Sequence, residues 1–347
     1  MFAATARCSH LHHIDTSLVT PESEMTRALI RQYVDDVSDN FAIDTGGKRF
    51  KDFVDNYFTG TVAAGLAYLA MVQENYVWFS HFERLKGGRP RYRKSPDFVF
   101  LDKDFSCALV ESKGSRLATS TAFNARVEAG YLDQVHPHIG YPIGGIIATH
   151  GYCVGSYLSS STQADLRIHF THVPFRRRFK PQTKQGKDEI QRNNYVTAFA
   201  LVHSETLGEQ IRTGDGPDSI GFMRFEWRGQ YWLTALEDQR QRQTDLGSGF
   251  VYAMEQGIAL RVLTKFLSHD LNGEQIEIEP LPPERFQRLK EEIGRPEGAV
   301  FPDGLAVIAK PEFRDPVRLT RGPTPDGHFG YRVTSNRDGL PTLRPTA

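Results

Sequence analysis

Ser95-Pro-Asp-Phe-Val-Phe100 and, after a short polar interval, Cys107-Ala-Leu-Val-Glu-Ser-Lys-Gly114 decide how this chain is read. Phe98, Val99, Phe100 and Leu101 in the first run, and Leu109 and Val110 in the second, are strand formers. Asp102-Lys-Asp-Phe-Ser106 between them is polar and turn-like, so the pattern predicts a β-hairpin. A hairpin symmetric about Asp104 sets Asp97 directly across from Glu111, with Cβ atoms about 5 Å apart. Residues two apart in a strand share a face, so Lys113 points with Glu111, while Phe98, Phe100, Ala108, Val110 and Ser112 take the other side. Like charges held opposite each other in a half-buried sheet are destabilising. A divalent cation between them removes that cost. Two carboxylates with a lysine are the parts needed to bind Mg²⁺ and cleave a phosphodiester.

Pro96-Asp97 followed by Glu111-Ser112-Lys113 resembles the signature of the PD-(D/E)XK phosphodiesterase superfamily, whose fold is the restriction-endonuclease-like core. The likeness covers residues 58 to 150, under a third of the chain. Pro-Asp recurs at Pro217-Asp218, Pro302-Asp303 and Pro325-Asp326, but Glu-x-Lys does not follow at hairpin spacing there. The resemblance implies that Asp97, Glu111 and the Ser112 carbonyl hold Mg²⁺, with Mn²⁺ as a substitute, and that Lys113 orients or deprotonates the attacking water. It also implies a catalytic Gln134 on the helix after the Glu-x-Lys strand. Its activity would be hydrolysis of DNA to leave 5′ phosphates, as an endonuclease of restriction, defence or repair; RNA stays open as substrate. Family members often carry an acid on the helix before the first strand. Thr61 to Gln73 has none before Glu74, so one metal is expected rather than two.

Length and charge set the frame. A chain of 347 residues holds one large or two medium domains. Its 42 basic and 42 acidic residues cancel, which excludes binding nucleic acid by bulk charge and leaves local patches to do so. Cys8, Cys107 and Cys153 are odd in number and widely spaced, which suggests neither a disulfide framework nor a zinc ribbon, and a reducing cytoplasm is the simplest setting. The apolar stretch from Val62 to Val72 is too short to span a bilayer, and the first residues lack a secretory pattern, so no membrane partner is expected.

Four regions are expected along the chain: an irregular N-terminus (1–20), a nuclease-like domain (21–175), a basic linker (176–190) and an accessory α+β region (191–347). In the second, helices are predicted from Pro21 to Val37, Arg49 to Phe58, Thr61 to Glu74 and Thr119 to Val135. Strands are predicted at Tyr76–Phe82, around Phe98, at Ala108–Lys113, Gly144–His150 and Leu166–His172. The pattern gives an α/β or α+β class; the resemblance refines it to a mixed central sheet flanked by helices. In the last region helices are expected at Tyr195–Ile211, Gly249–His269 and Pro283–Ile293, and hairpins at Phe222–Leu236 and Ala299–Lys310. Loose order is expected from Arg314 onward.

Basic segments offer phosphate contacts, which supply affinity without sequence choice. Arg91, Arg93 and Lys94 lead into Asp97, Ser115 and Arg116 follow the third strand, and a second cluster holds Arg176, Arg177, Arg178, Lys180, Lys184 and Lys187. Cys8, His10, His12 and His13 lack a second cluster at zinc-finger spacing, and His136 and His138 sit near Gln134. No Gly-Lys-Ser/Thr phosphate loop is present. The alternative from another class is a catalytically inactive nuclease fold that binds nucleic acid or assembles with a protein partner or a second copy through residues 191–347.

Overall fold

The computed structural model describes residues 2–8, 19–35, 42–43, 52–88, 94–116, 120–158, 165–172, 183–236, 250–268, 276–292, 298–309, 315–324 and 329–335. They form a mixed α/β protein of two units, Met1–Thr197 and Ala198–Ala347, each built round one large open sheet. The first unit contains α1 (Phe2–Arg7), α2 (Val19–Tyr33), a short pair β1 (Val34–Asp35) and β2 (Ala42–Ile43), and the long helix α3 (Asp52–Gln73). Then come β3 (Tyr76–His81), β4 (Phe98–Asp102), β5 (Cys107–Ser115), α4 (Ser120–Gly130), a two-residue pair β6 (Pro142–Ile143) and β7 (Ile146–Ile147), β8 (His150–Tyr157) and β9 (Asp165–His172). Helix α5 (Lys184–Val202) runs across the division.

The sheet of the first unit has the order β3-β4-β5-β8-β9, with β5 and β8 parallel and the other neighbours antiparallel. Pairs run from Phe98 with Val110 to Leu101 with Cys107, a register centred on Asp104. The turn is fixed by Asp102, whose Oδ1 accepts from the Asp104 and Ser106 amides at 2.9 and 2.8 Å. Phe105 takes a positive φ there, and its ring stacks on Trp78 at 5.8 Å.

Four expectations change. The two helices predicted on either side of Thr59-Gly60 are one, because an isolated glycine costs only about 1 kcal/mol in a helix interior and does not end it. The N-terminus holds a buried helix rather than irregular chain throughout. A methyl on Gly65 would lie 2.3 Å from Thr5 Oγ1 and 2.8 Å from its Cα, so the glycine is what lets α1 lie against α3. Arg7 at the end of α1 is buried, donates to Tyr68 Oη at 2.7 Å and Asn194 Oδ1 at 3.0 Å, and lies over the Tyr68 and Phe79 rings. Of the strand expected at Gly144–His150 only Ile146–Ile147, the short β7 paired with β6, forms there, and the strand of the main sheet is β8, starting at His150. Gly151 and Gly155 weakened its strand pattern, yet they admit α4 and the turn after it: a methyl on Gly155 would lie 2.3 Å from Val127 Cγ2. Lys184 to Ile190, expected in a linker, open α5, while Arg176, Arg177, Arg178 and Lys180 lie outside the described residues.

The second unit contains α6 (Glu205–Thr213), β10 (Ser219–Trp227), β11 (Gln230–Thr234), β12 (Phe250–Glu255), α7 (Gln256–Leu267), α8 (Pro283–Glu292), β13 (Gly298–Val300), β14 (Leu305–Ala309), β15 (Asp315–Pro323) and β16 (Phe329–Ser335). Its sheet is antiparallel between all neighbours, in the order β13-β14-β12-β11-β10-β15-β16. The hairpins at Arg228-Gly229 and Pro302–Gly304 form as expected. Tyr195–Ile211 is not one helix: Ser204 interrupts it and caps α6, accepting from Leu207 N at 3.1 Å. Gly249–His269 divides into β12 and α7, and the region after Arg314, expected to be loose, pairs as β15 and β16. No helix among the described residues is long and apolar enough to cross a membrane.

Candidate functional site

Proline 96 has no N–H, so the β4–β5 ladder cannot continue past it, and the residue opposite it in this register is Ser112. The Asp97 carboxylate takes the place of the missing strand partner. Its Oδ2 accepts from the Ser112 amide at 2.8 Å and from the Ser112 hydroxyl at 2.6 Å. Strict alternation put the Ser112 side chain on the other face; where the ladder stops, it turns to Asp97 instead. The serine thus anchors a carboxylate through its amide and hydroxyl, in addition to any part its carbonyl plays.

Glu111 is 1 % exposed and one strand step from that anchor. Its Oε1 accepts from Lys113 Nζ, while Oε2 is buried and has no hydrogen-bond partner among the described residues. Burial, and then the like charge of Asp97, push its pKa up to about 8 against the opposing pull of Lys113 and of the Asp97 backbone N–H. A cation at Oε2 would offset both the burial and the like charge.

Lys113 is positioned from two sides. Its Nζ also donates to Gln134 Oε1 at 2.8 Å, and Gln134 Nε2 donates to the Ser95 carbonyl at 2.9 Å, which fixes which way the amide points. Gln134 sits in a π turn, Tyr131–Val135, that continues α4. Widened turns of this kind re-aim a side chain and occur often at functional sites. Gly130, just before it, leaves room for the lysine, since a methyl there would lie 2.9 Å from Lys113 Cε.

Asp97, Glu111, Ser112, Lys113, Gln134, Ser115 and Arg116, all singled out from sequence, line one cavity of about 460 Å³. Among the other residues that line it are two charged ones that sequence reasoning missed, Asp55 and Arg126. Asp55 lies in the first turn of α3, and this overturns the expectation that the helix before the first strand carries no acid. Glycine 114 explains the approach: a methyl on it would lie 2.4 Å from the Thr59 carbonyl, so α3 runs directly over β5. Asp55 and Thr59, four apart, share the face turned to the cavity. That spacing was the available signal, hidden by reading Gly60 as a break. Asp55 forms an ion pair with Arg116, both half-buried.

Lys94 lies in an adjoining cleft of about 350 Å³ that shares Asp97 and Gln134 with the first, and its Nζ donates to Asp133 Oδ2 at 2.6 Å. Arg91 and Arg93 lie outside the described residues, as do His10, His12 and His13. His138 is buried with its Nε2 2.7 Å from the Lys94 carbonyl, a position that holds the loop before Asp97. Cys8, Cys107 and Cys153 are free and buried, their thiol pKa values raised by burial.

Among the described residues, no group of three or more His, Cys, Asp and Glu side chains is placed to hold one metal ion. A cation here would rest on two carboxylates, main-chain oxygen and water, a donor set that Mg²⁺ accepts because it keeps much of its hydration. The unpartnered Glu111 Oε2 fits that role. Comparison with family models, with curated proteins and with solved structures found no match.

Proposed function

We propose that the first unit is a restriction-endonuclease-like core and that the chain is a metal-dependent nuclease acting on DNA. The observation that carries the reading is the convergence of Asp97, Glu111 and Lys113 in one cavity, with one glutamate oxygen buried and unpartnered. The order α3, β3, β4, β5, α4, β8, with β5 and β8 parallel, supports the fold.

Asp97, Glu111 and the Ser112 carbonyl are the residues that would hold Mg²⁺ or Mn²⁺. Bound there, the ion would lower the pKa of a water and offset charge gathering on the phosphorus. The protein's own share falls to positioning. Lys113, held by Gln134 and Glu111, directs its ammonium into the cavity where it can orient the attacking water and neutralise a phosphate oxygen. Ser112 keeps the Asp97 carboxylate from turning away. Ser115, Arg116 and Arg126 offer donors along the cavity for flanking phosphates.

Incubating the protein with plasmid, linear duplex and single-stranded DNA and with RNA, in Mg²⁺ or in EDTA, tests this. Cleavage of DNA that needs the cation is expected. Binding without cleavage in Mg²⁺ and Mn²⁺ would instead favour a recognition or assembly module on the same fold.

A further inference from the structure

Asp55 and Arg116 form an ion pair that ties the start of α3 to the end of β5. Both line the cavity that holds Asp97, Glu111 and Lys113. An arginine in such a place is suited to phosphate, because its planar fork matches two phosphate oxygens as well as it matches two carboxylate oxygens. The Asp55 carboxylate engages that guanidinium through Nη1, at a place where a substrate phosphate could take over the contact. Of the two other acids of the cavity, Glu111 is likewise held by a cation of the chain, Lys113, while Asp97 is held by Ser112.

We propose that Asp55 is an internal stand-in for substrate phosphate, and that phosphate displaces it from Arg116. The exchange has a consequence for the cation. A displaced Asp55 is a carboxylate released in a cavity that already holds Asp97 and Glu111, and the added negative charge raises the affinity for a divalent ion. Phosphate binding and cation binding then reinforce each other, and by linkage the factor is the same in both directions. In the resting chain the ion pair keeps Asp55 with Arg116. This rests on the nuclease reading for its ligand and goes beyond it in making Asp55–Arg116 the coupling element.

The test is a double-mutant cycle on binding, not on turnover. A fluorescein-labelled phosphorothioate oligonucleotide, resistant to hydrolysis, is titrated by anisotropy in EDTA and in Mn²⁺ against wild type, Asp55→Asn, Arg116→Gln and the double variant. Mn²⁺ affinity without oligonucleotide is measured by electron paramagnetic resonance. Asp55→Asn is expected to tighten oligonucleotide binding in EDTA about fivefold or more, within the range of such couplings, and to shrink the further gain from Mn²⁺. Arg116→Gln is expected to raise Mn²⁺ affinity in the absence of oligonucleotide. Asparagine at 55 should do little for oligonucleotide binding once Arg116 is gone. If Asp55→Asn tightens binding by the same factor with and without Arg116, only bulk charge is at work and the proposal is overturned. Cleavage by wild type without coupling in the cycle would remove this inference and leave the nuclease reading standing; coupling without cleavage would do the reverse.

Discussion

His203 in the second unit and Glu111 in the first are both buried ionisable side chains, and their surroundings treat them in opposite ways. The His203 ring has its Nε2 3.0 Å from the Gly221 carbonyl and its Nδ1 3.0 Å from the Ser204 hydroxyl. Burial lowers its pKa to about 4, so it sits neutral and satisfied, tying α6 to β10. Glu111 has a raised pKa, a like charge beside it and an oxygen without a partner among the described residues. The second unit uses a buried polar group to hold elements together. In the first, comparable burial leaves one glutamate oxygen without a hydrogen-bond partner among the described residues. Burial alone thus does not single out Glu111; its unpartnered oxygen, in one cavity with Asp97 and Lys113, does.

Variants that act on this contrast differ widely in expected effect. Lys113→Ala should lower cation-dependent DNA cleavage at least a hundredfold, on the order of losing a positioned acid–base and electrostatic group. Its circular dichroism spectrum should match wild type. Unchanged cleavage would put the lysine outside the chemistry.

Arg7→Ala should be among the most damaging changes to the fold of the first unit, costing roughly 3–5 kcal/mol, because it strands the partners of a buried hydrogen-bonded charge and empties the space over two rings. Chemical denaturation followed by tryptophan fluorescence measures it. A loss under about 1 kcal/mol would mean the arginine is replaceable there by water.

The His203 contribution should appear in the pH dependence of the second unit. Its pKa is lowered in the fold, so as the pH falls the unfolded chain takes up the proton first. The stability is complete above about pH 6.5 and is lost as the pH falls toward 4. Up to roughly 3 kcal/mol is at stake, and His203→Gln should flatten that part of the curve. An equal slope in the variant would show that another group titrates there.

Gly155→Ala is the mildest of the four, at roughly 1–3 kcal/mol for overpacking between β8 and α4. Because α4 leads into the turn that holds Gln134, it should also lower cleavage, while Gly60→Ala, with open space around it in a helix interior, should raise stability by up to about 1 kcal/mol.

Which parts were legible in the sequence follows from how local their causes are. The β4–β5 hairpin was legible because alternation and an Asp-rich turn act within twenty residues, and so were Asp97, Glu111 and Lys113 on it. Asp55 was not, since Gly60 looked like an end of helix when it is only a position with no neighbour. Helix α1 is six residues long and cannot show a period; its place comes from Gly65, far along the chain. The division of Gly249–His269 into β12 and α7 was hidden because a continuous apolar run does not separate strand from helix. The role of Ser112 depended on Pro96 ending a ladder, a consequence of register rather than of pattern.

Titration of the purified chain with Mn²⁺, read by electron paramagnetic resonance, asks the question most directly. We expect wild type to bind the ion and Glu111→Gln to bind it at least tenfold more weakly, with His203→Gln indistinguishable from wild type. Equal binding by wild type and Glu111→Gln would mean that the buried oxygen is not a cation site, and the reading of the first unit as a metal-dependent nuclease would fall with it.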